Sequence, residues 1–170
     1  MTDGSAATPI RPGTLYLLRH AHAGDPAAWS GPDEVRPLSA KGRRQAKRLG
    51  RFLCGGPFRP GLILTSPKVR AEQTAQAVAK ELDLKVHVDE RLASGFGLRS
   101  LNDLLSSIDD REIMLVGHDP DFSALLSILI GARGMVMKKG ALAVVDLVTP
   151  VVHGCGTLRF LVSPELFDKP

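Results

Sequence analysis

The stretch Leu15-Tyr16-Leu17-Leu18-Arg19-His20 decides how this chain is read. Four apolar residues in a row are short for a helix and suit a strand buried on both faces, and the run stops at a guanidinium and an imidazole. In open α/β sheets, ligands bind outside the carboxyl ends of the strands. Two more runs repeat the pattern. Leu62-Ile63-Leu64-Thr65 leads into Ser66-Pro67-Lys68-Val69-Arg70, and Ile113-Met114-Leu115-Val116-Gly117 leads into His118. Three strand ends can therefore deliver two imidazoles and two guanidiniums to one place, the make-up of a phosphate site that contains a nucleophile.

Outward from these runs, strands at roughly 14 to 19, 61 to 65 and 113 to 117 alternate with helical patterns. That alternation predicts an α/β fold, a mostly parallel central sheet with helices on both faces. A first helix starts after Ser39 as N-cap, buries Ala46, Leu49 and Leu53, and carries Lys41, Arg43, Arg44, Lys47, Arg48 and Arg51 on its other faces. A second has Ser66 as N-cap and Pro67 at its first position, with Ala71, Thr74, Ala75, Val78 and Leu82 as its buried stripe. Lys85 to Val88 reads as a short strand, and Leu98 to Ile108 as a third helix. Asp119-Pro120 opens a fourth helix, with Asp119 as its N-cap. The runs Ala141 to Val148 and Thr157 to Val162 read as a hairpin at a sheet edge.

A chain of 170 residues with a hydrophobic fraction of 44% is large enough for one well-packed domain. That domain is expected over residues 13 to 170, behind a tail at Met1 to Pro12 that lacks the apolar core of a signal peptide. Cys54 and Cys155 stand in no metal-type or disulfide framework spacing, so the reducing cytoplasm is the default compartment. No apolar run reaches membrane-spanning length. The net charge of +4 favours anionic substrates or acidic partners. Aromatics at 5%, not interleaved with the basic residues, argue against nucleic acid.

Phosphoryl transfer to a protein needs a nucleophile unprotonated near neutral pH and cations around the transferring oxygens. A neutral imidazole meets the first need, and neighbouring positive charge lowers its pKa further. Arg19 and Arg70 meet the second, each with a planar fork that grips two oxygens. Arg70, in the first turn of a helix, also gains that helix's N-terminal dipole.

Four blocks carry a resemblance: Arg19-His20-Ala21, then Arg36-Pro37-Leu38-Ser39 with Gly42, then Ser66-Pro67 with Arg70-Ala71-Glu72-Gln73-Thr74-Ala75, then Val116-Gly117-His118. In this order the chain resembles the histidine phosphatase superfamily, and most closely its small SixA-type phosphohistidine phosphatase branch, from about Leu15 to Asp146. The resemblance implies a phosphoglycerate mutase-like fold and neither metal nor organic cofactor. It implies His20 as the nucleophile that becomes phosphohistidine, Arg19 and Arg70 as phosphate ligands, and His118 as a hydrogen-bond donor or cation completing the pocket.

One departure bears on substrate. Phosphomonoesterases and mutases of the superfamily often carry a proton-donating carboxylate shortly after an Arg-Leu pair, whereas here Arg91-Leu92 is followed by Ala93-Ser94. An alkoxide leaving group needs a proton in the transition state, while imidazole leaves a protonated phosphohistidine neutral. The general acid is left open, with Asp25, Asp33, Glu34 and Asp119 as carboxylates able to reach in. The expected function is removal of phosphate from phosphohistidine on a signalling or phosphotransfer protein. The alternatives are a phosphatase of small phosphate esters and a non-catalytic phosphate-binding module.

Other residues divide between plain and functional readings. His22 sits in the loop after His20 or lines the pocket, and Ser66 is a cap that can also approach phosphate. His87 and His153 read as surface residues. The basic run Lys41 to Arg51 reads as a solvated helix face, or more pointedly as a docking surface for an acidic protein. The loop Ala21 to Pro37, seventeen residues long, shapes access to the site and is too short for a cap domain, which leaves a site open to a protein-borne phosphate.

Overall fold

Every second side chain of the first strand faces the same way, and both ways are buried, so helices must cover both sides of the sheet. The computed structural model describes residues 11–166. Its strands are β1 (Arg11–Arg19), β2 (Leu62–Thr65), β3 (Val86–Val88), β4 (Glu112–Gly117), β5 (Leu142–Thr149) and β6 (Thr157–Val162), and its helices are α1 (Ala40–Gly55), α2 (Val69–Leu82), α3 (Leu98–Ser106) and α4 (Asp121–Ile130). One six-stranded sheet has the order β3-β2-β4-β1-β5-β6. The first four strands in that order run parallel, and β5 and β6 add an antiparallel hairpin at one edge.

Leu15 and Leu17 pack with Leu101, Leu104, Phe122 and Leu125 beneath α3 and α4. Tyr16 and Leu18 pack on the opposite face with Leu49, Leu53, Val78 and Leu82 from α1 and α2. Each such fully buried side chain contributes about 1.5–3 kcal/mol from area removed from water, and the centre of the sheet is packed on both faces. The polar ends of β1, β2 and β4 project directly from that packed centre.

Several boundaries differ from expectation. Residues 1 to 10 of the expected tail lie outside the described residues, but Arg11 and Pro12 already belong to β1. Residues 11 to 13 pair with β5 alone, and the β4 ladder begins at Thr14, so Pro12 sits where a missing N–H is tolerated. Helix α2 begins at Val69 with Lys68 at its N-cap position, which removes Ser66 as the cap and Pro67 from the first helical turn. Pro120, not Asp119, occupies the N-cap position of α4, although Asp119 Oδ1 still accepts the Ser123 N–H at 3.3 Å. Helix α3 ends at Ser106, and Ile108 packs onto the core from beyond it. Ser39 caps α1 as read, its Oγ accepting the Gly42 N–H at 3.1 Å.

Gly42 also explains how tightly α1 sits on the loop that follows β1. A Cβ there would lie 2.0 Å from the His22 carbonyl oxygen. The only side chain that fits is a hydrogen.

Candidate active site

Arg19 ends β1, and His20 is the first residue past it, its N–H donating to the Gly117 carbonyl at 3.0 Å. That bond joins the ends of β1 and β4, which places His118 beside His20, with ring centroids 5.2 Å apart. From β2 come Ser66 and Arg70, the latter in the first turn of α2 as expected. The structure thus brings Arg19, His20, Ser66, Arg70 and His118 into one cluster, and His20, Ser66, Arg70 and His118 are all buried.

The His20 ring is oriented without ambiguity. Its Nδ1–H donates to the Ala21 carbonyl at 2.8 Å, and its Nε2 accepts from Arg70 Nε at 3.3 Å. A carbonyl can only accept, so Nε2 carries the lone pair. Burial is the main reason the His20 pKa is lowered to about 3; the Ala21 contact opposes this, and His118, Arg70 and Arg19 add to it. The imidazole is neutral near neutral pH and turns its Nε2 lone pair toward Arg70.

His118 is hydrogen bonded through Nε2 to Ser66 Oγ at 2.7 Å, and Ser66 Oγ also accepts the Lys68 N–H at 3.3 Å. Burial first, then Arg70, Lys68 and Arg19, lower the His118 pKa to about 3 against the opposing pull of Asp33. Of the two roles open to it, donor or cation, the neutral donor is the one this environment supports. His118 Nδ1 and Arg19 Nε are buried with no hydrogen-bond partner among the described residues.

Each arginine is steered by a carboxylate. Arg19 Nη1 donates to Asp119 Oδ2 at 3.1 Å and to the Met137 carbonyl at 2.6 Å. Arg70 Nη1 donates to the Asp33 carbonyl at 2.6 Å, and Nη2 to Asp33 Oδ2 at 2.8 Å. Asp33 in turn accepts from Arg36 Nε at 2.9 Å. Its slight burial works against ionisation, but Arg36 and Arg70 outweigh this and hold its carboxyl below the usual range. Of the four candidate acids, Asp33 and Asp119 are therefore in the cluster as partners of arginine. Asp25 and Glu34 are exposed, Asp25 capping a single 3-10 turn through the Ala27 N–H. Ser94 is exposed in the bend after Leu92.

His22 belongs to the layer behind the cluster, its Nδ1 hydrogen bonded to Ser39 Oγ at 2.7 Å in the cap of α1. His87 and His153 are exposed, as expected. Among the described residues no three His, Cys, Asp or Glu side chains group as metal ligands.

Three neighbours of the cluster escaped the sequence reading. Arg36 is buried and ties the loop down by donating to the Ala23 carbonyl at 2.6 Å. Thr74 Oγ1 donates to the Arg70 carbonyl at 2.7 Å and accepts the Ala21 N–H at 3.1 Å, joining α2 to the loop that follows His20. Lys139 precedes Gly140, whose N–H donates to the carbonyls of Arg19 and His20 at 3.1 and 2.9 Å. Burial, with Arg19, Arg36 and Arg70 nearby, lowers the Lys139 pKa. The Arg36-Pro37-Leu38-Ser39 block was a signal for the first of these and the Arg70-to-Ala75 block for the second; nothing local marked Lys139.

Comparison with known proteins bears on the same residues. Residues 15–97, which include Arg19, His20 and Arg70, match the family described as the histidine phosphatase superfamily, branch 1. An 8-oxo-(d)GTP phosphatase of Mycolicibacterium smegmatis is 34% identical over 79 residues, covering 46% of this chain, and the chain spans only 24% of that relative's length. An uncharacterized protein of Picosynechococcus sp. is 36% identical over 111 residues, 63% of this chain and 67% of the relative. The crystal structure of a putative phosphohistidine phosphatase SixA from Agrobacterium tumefaciens superposes with a TM-score of 0.75 at 27% identity, over 91% of this chain and 99% of the other. The fold is thus that of the phosphoglycerate mutase-like SixA proteins, and the chain belongs to the histidine phosphatase superfamily.

Proposed function

We propose that this phosphatase domain removes phosphate from phosphohistidine through a phosphorylated His20. His20 Nε2 attacks phosphorus as the bond from phosphorus to the substrate imidazole breaks, and the imidazole, protonated on its other nitrogen, leaves neutral with the electron pair. Water then attacks phospho-His20 and passes its proton to the released phosphate, restoring the free imidazole. The incoming phosphoryl oxygens take Arg70 away from His20 Nε2 and from Asp33, which frees the lone pair as the anion arrives. Arg19 Nε and His118 Nδ1, the two orphaned buried atoms, are further groups an anion in the cluster can satisfy.

The observation that carries the choice of substrate is the state of the carboxylates. Asp119 is bound to Arg19, and Asp33 is bound to two arginines and held ionised. An ionised carboxylate on arginine accepts protons poorly and has none to donate, so the arrangement suits a leaving group that departs without help. The name of the mycobacterial relative favours a second reading, hydrolysis of a small phosphorylated molecule. A non-catalytic binding module accounts less well for an unprotonated, oriented His20.

The experiment is a comparison of kcat/KM for free phosphohistidine, an aryl phosphate and an alkyl phosphate. The phosphohistidine reading predicts the order phosphohistidine, aryl, alkyl, with the ends at least about 100-fold apart, the rate that a well-placed acid typically supplies. Preference for the alkyl ester would reject it in favour of the small-ester reading.

A further inference from the structure

Helix α1 carries six basic residues and no acidic one: Lys41, Arg43, Arg44, Lys47, Arg48 and Arg51. They share one side, while Gly42, Gln45, Ala46, Leu49, Gly50 and Leu53 are buried on the other. This charge pattern works against the helix in two ways. Arg43 with Lys47, Arg44 with Arg48, and Lys47 with Arg51 are like-charged pairs four residues apart. Lys41 and Arg43 lie in the first turn, at the positive end of the macrodipole, and the last turn has no basic residue. A helix selected for its own stability would carry the opposite arrangement.

Lys41, Arg44 and Lys47 form the open part of this face. Arg51 meets Glu81 at 3.5 Å, but no ion pair among the described residues engages Lys41, Arg44, Lys47 or, on the adjacent helix, Lys80. All four are exposed. Between α1 and α2 runs a groove of about 390 Å³ lined by Arg43, Lys47, Gln73, Gln76, Lys80 and Glu81. Two of its walls reach back to the catalytic loop: Arg43 Nη1 donates to the Leu38 carbonyl at 2.7 Å, and Gln73 Oε1 accepts the Leu38 N–H at 2.8 Å. Leu38 adjoins Ser39, which caps α1 and contacts His22. Lys47 lies only about 10 Å along the helix axis from its start.

We propose that this basic face of α1, with Lys80 and the groove between the helices, docks the acidic surface of the protein that carries the phosphohistidine. The proposal rests on the phosphohistidine reading and names the chemistry of its partner. A groove that accepts side chains, opening on the loop beside the pocket, fits a polypeptide better than a flat anionic membrane. The unfavourable charge pattern is then retained because the partner's carboxylates neutralise it on binding.

The test uses three substrates: free phosphohistidine, a phosphohistidine peptide flanked by glutamates, and the same peptide flanked by glutamines. In low salt the wild type turns over the glutamate peptide with a kcat/KM about tenfold above the glutamine peptide, through KM, and the advantage shrinks as salt screens it. The double variant Arg44→Glu/Lys47→Glu loses that preference and keeps turnover of free phosphohistidine. Its thermal midpoint is equal to or above that of the wild type, because each new glutamate faces an arginine four residues on. Lys80→Glu, on the neighbouring helix, shows the same loss in smaller degree. Equal kcat/KM for both peptides, with free phosphohistidine still hydrolysed, overturns the docking surface and leaves the substrate reading standing. A preference that survives both variants overturns it too. Phosphatidylserine vesicles bound by wild type but not by the double variant, without a peptide preference, would give the face to a membrane instead. Failure to hydrolyse any of the three substrates would remove both the substrate reading and this surface.

Discussion

The two arginines of the pocket are held in contrasting ways. Arg19 leans on Asp119, whose side chain is only 17% exposed and is itself held by the N–H and Oγ of Ser123 in α4. Ser123 Oγ in turn accepts the Met137 N–H, and the Met137 carbonyl accepts from Arg19, so a closed ring of contacts fixes the guanidinium. Arg70 leans on Asp33, whose side chain is half exposed and comes from a single 3-10 turn in the loop after β1. Every nitrogen of its fork is occupied by Asp33 or His20. One arginine is preset by the packed scaffold; the other is parked on an internal carboxylate that, in the proposed function, the substrate's phosphate displaces.

The contrast can be broken most forcefully at Arg70. Arg70→Lys keeps the charge and loses the two-pronged geometry, and should lower kcat/KM by on the order of 100-fold, the scale of losing one hydrogen-bond donor to the transition state. Near-normal kinetics would show that the fork never engages phosphate. The imidazoles give the next effect, in stability. Both are buried with pKa values of about 3, against roughly 6.5 when unfolded. Between those values the unfolded chain binds more protons, so stability is fully present above pH 6.5 and is lost as pH falls toward 3. Each imidazole contributes up to about 1.4 kcal/mol per pH unit in that window. Urea midpoints at pH 7.5 and 5 measure it, and His118→Gln should flatten the difference; a wild-type midpoint unchanged at pH 5 would contradict it.

The smallest effects separate the two carboxylates and have opposite signs. Asp119→Asn should cost about tenfold in kcat/KM, the loss of a charged hydrogen bond that orients Arg19. Asp33→Asn should instead tighten inhibition by inorganic phosphate by about threefold, since Asp33 is half exposed, its ion pair is correspondingly screened to roughly 1 kcal/mol, and its removal frees Arg70. Equal losses in the two variants would erase the distinction between a fixed and a parked arginine.

The residues at the strand ends were legible in the sequence and their loop-borne partners were not, for a physical reason. Strand ends announce themselves through apolar runs, so Arg19, His20, Arg70 and His118 could be placed together before any coordinates. The partners of those residues come from loops, where no periodicity relates Asp33 to Arg70, 37 positions away, or Met137 to Arg19, 118 away. Ser66 carried a capping signal that local propensity could not distinguish from a bond to His118 across the sheet. Pro12 looked like the end of a tail because the one-sided pairing that tolerates it is a property of the β5 neighbour.

The proposed function stands on a phosphoryl group carried on His20 Nε2. Mixing the protein with radiolabelled phosphohistidine and quenching within milliseconds should trap an alkali-stable, acid-labile phosphoenzyme that maps to His20, is absent in His20→Ala, and decays at least as fast as the steady-state turnover. Turnover of phosphohistidine at an undiminished rate by His20→Ala, with no label trapped on the wild type, would contradict it.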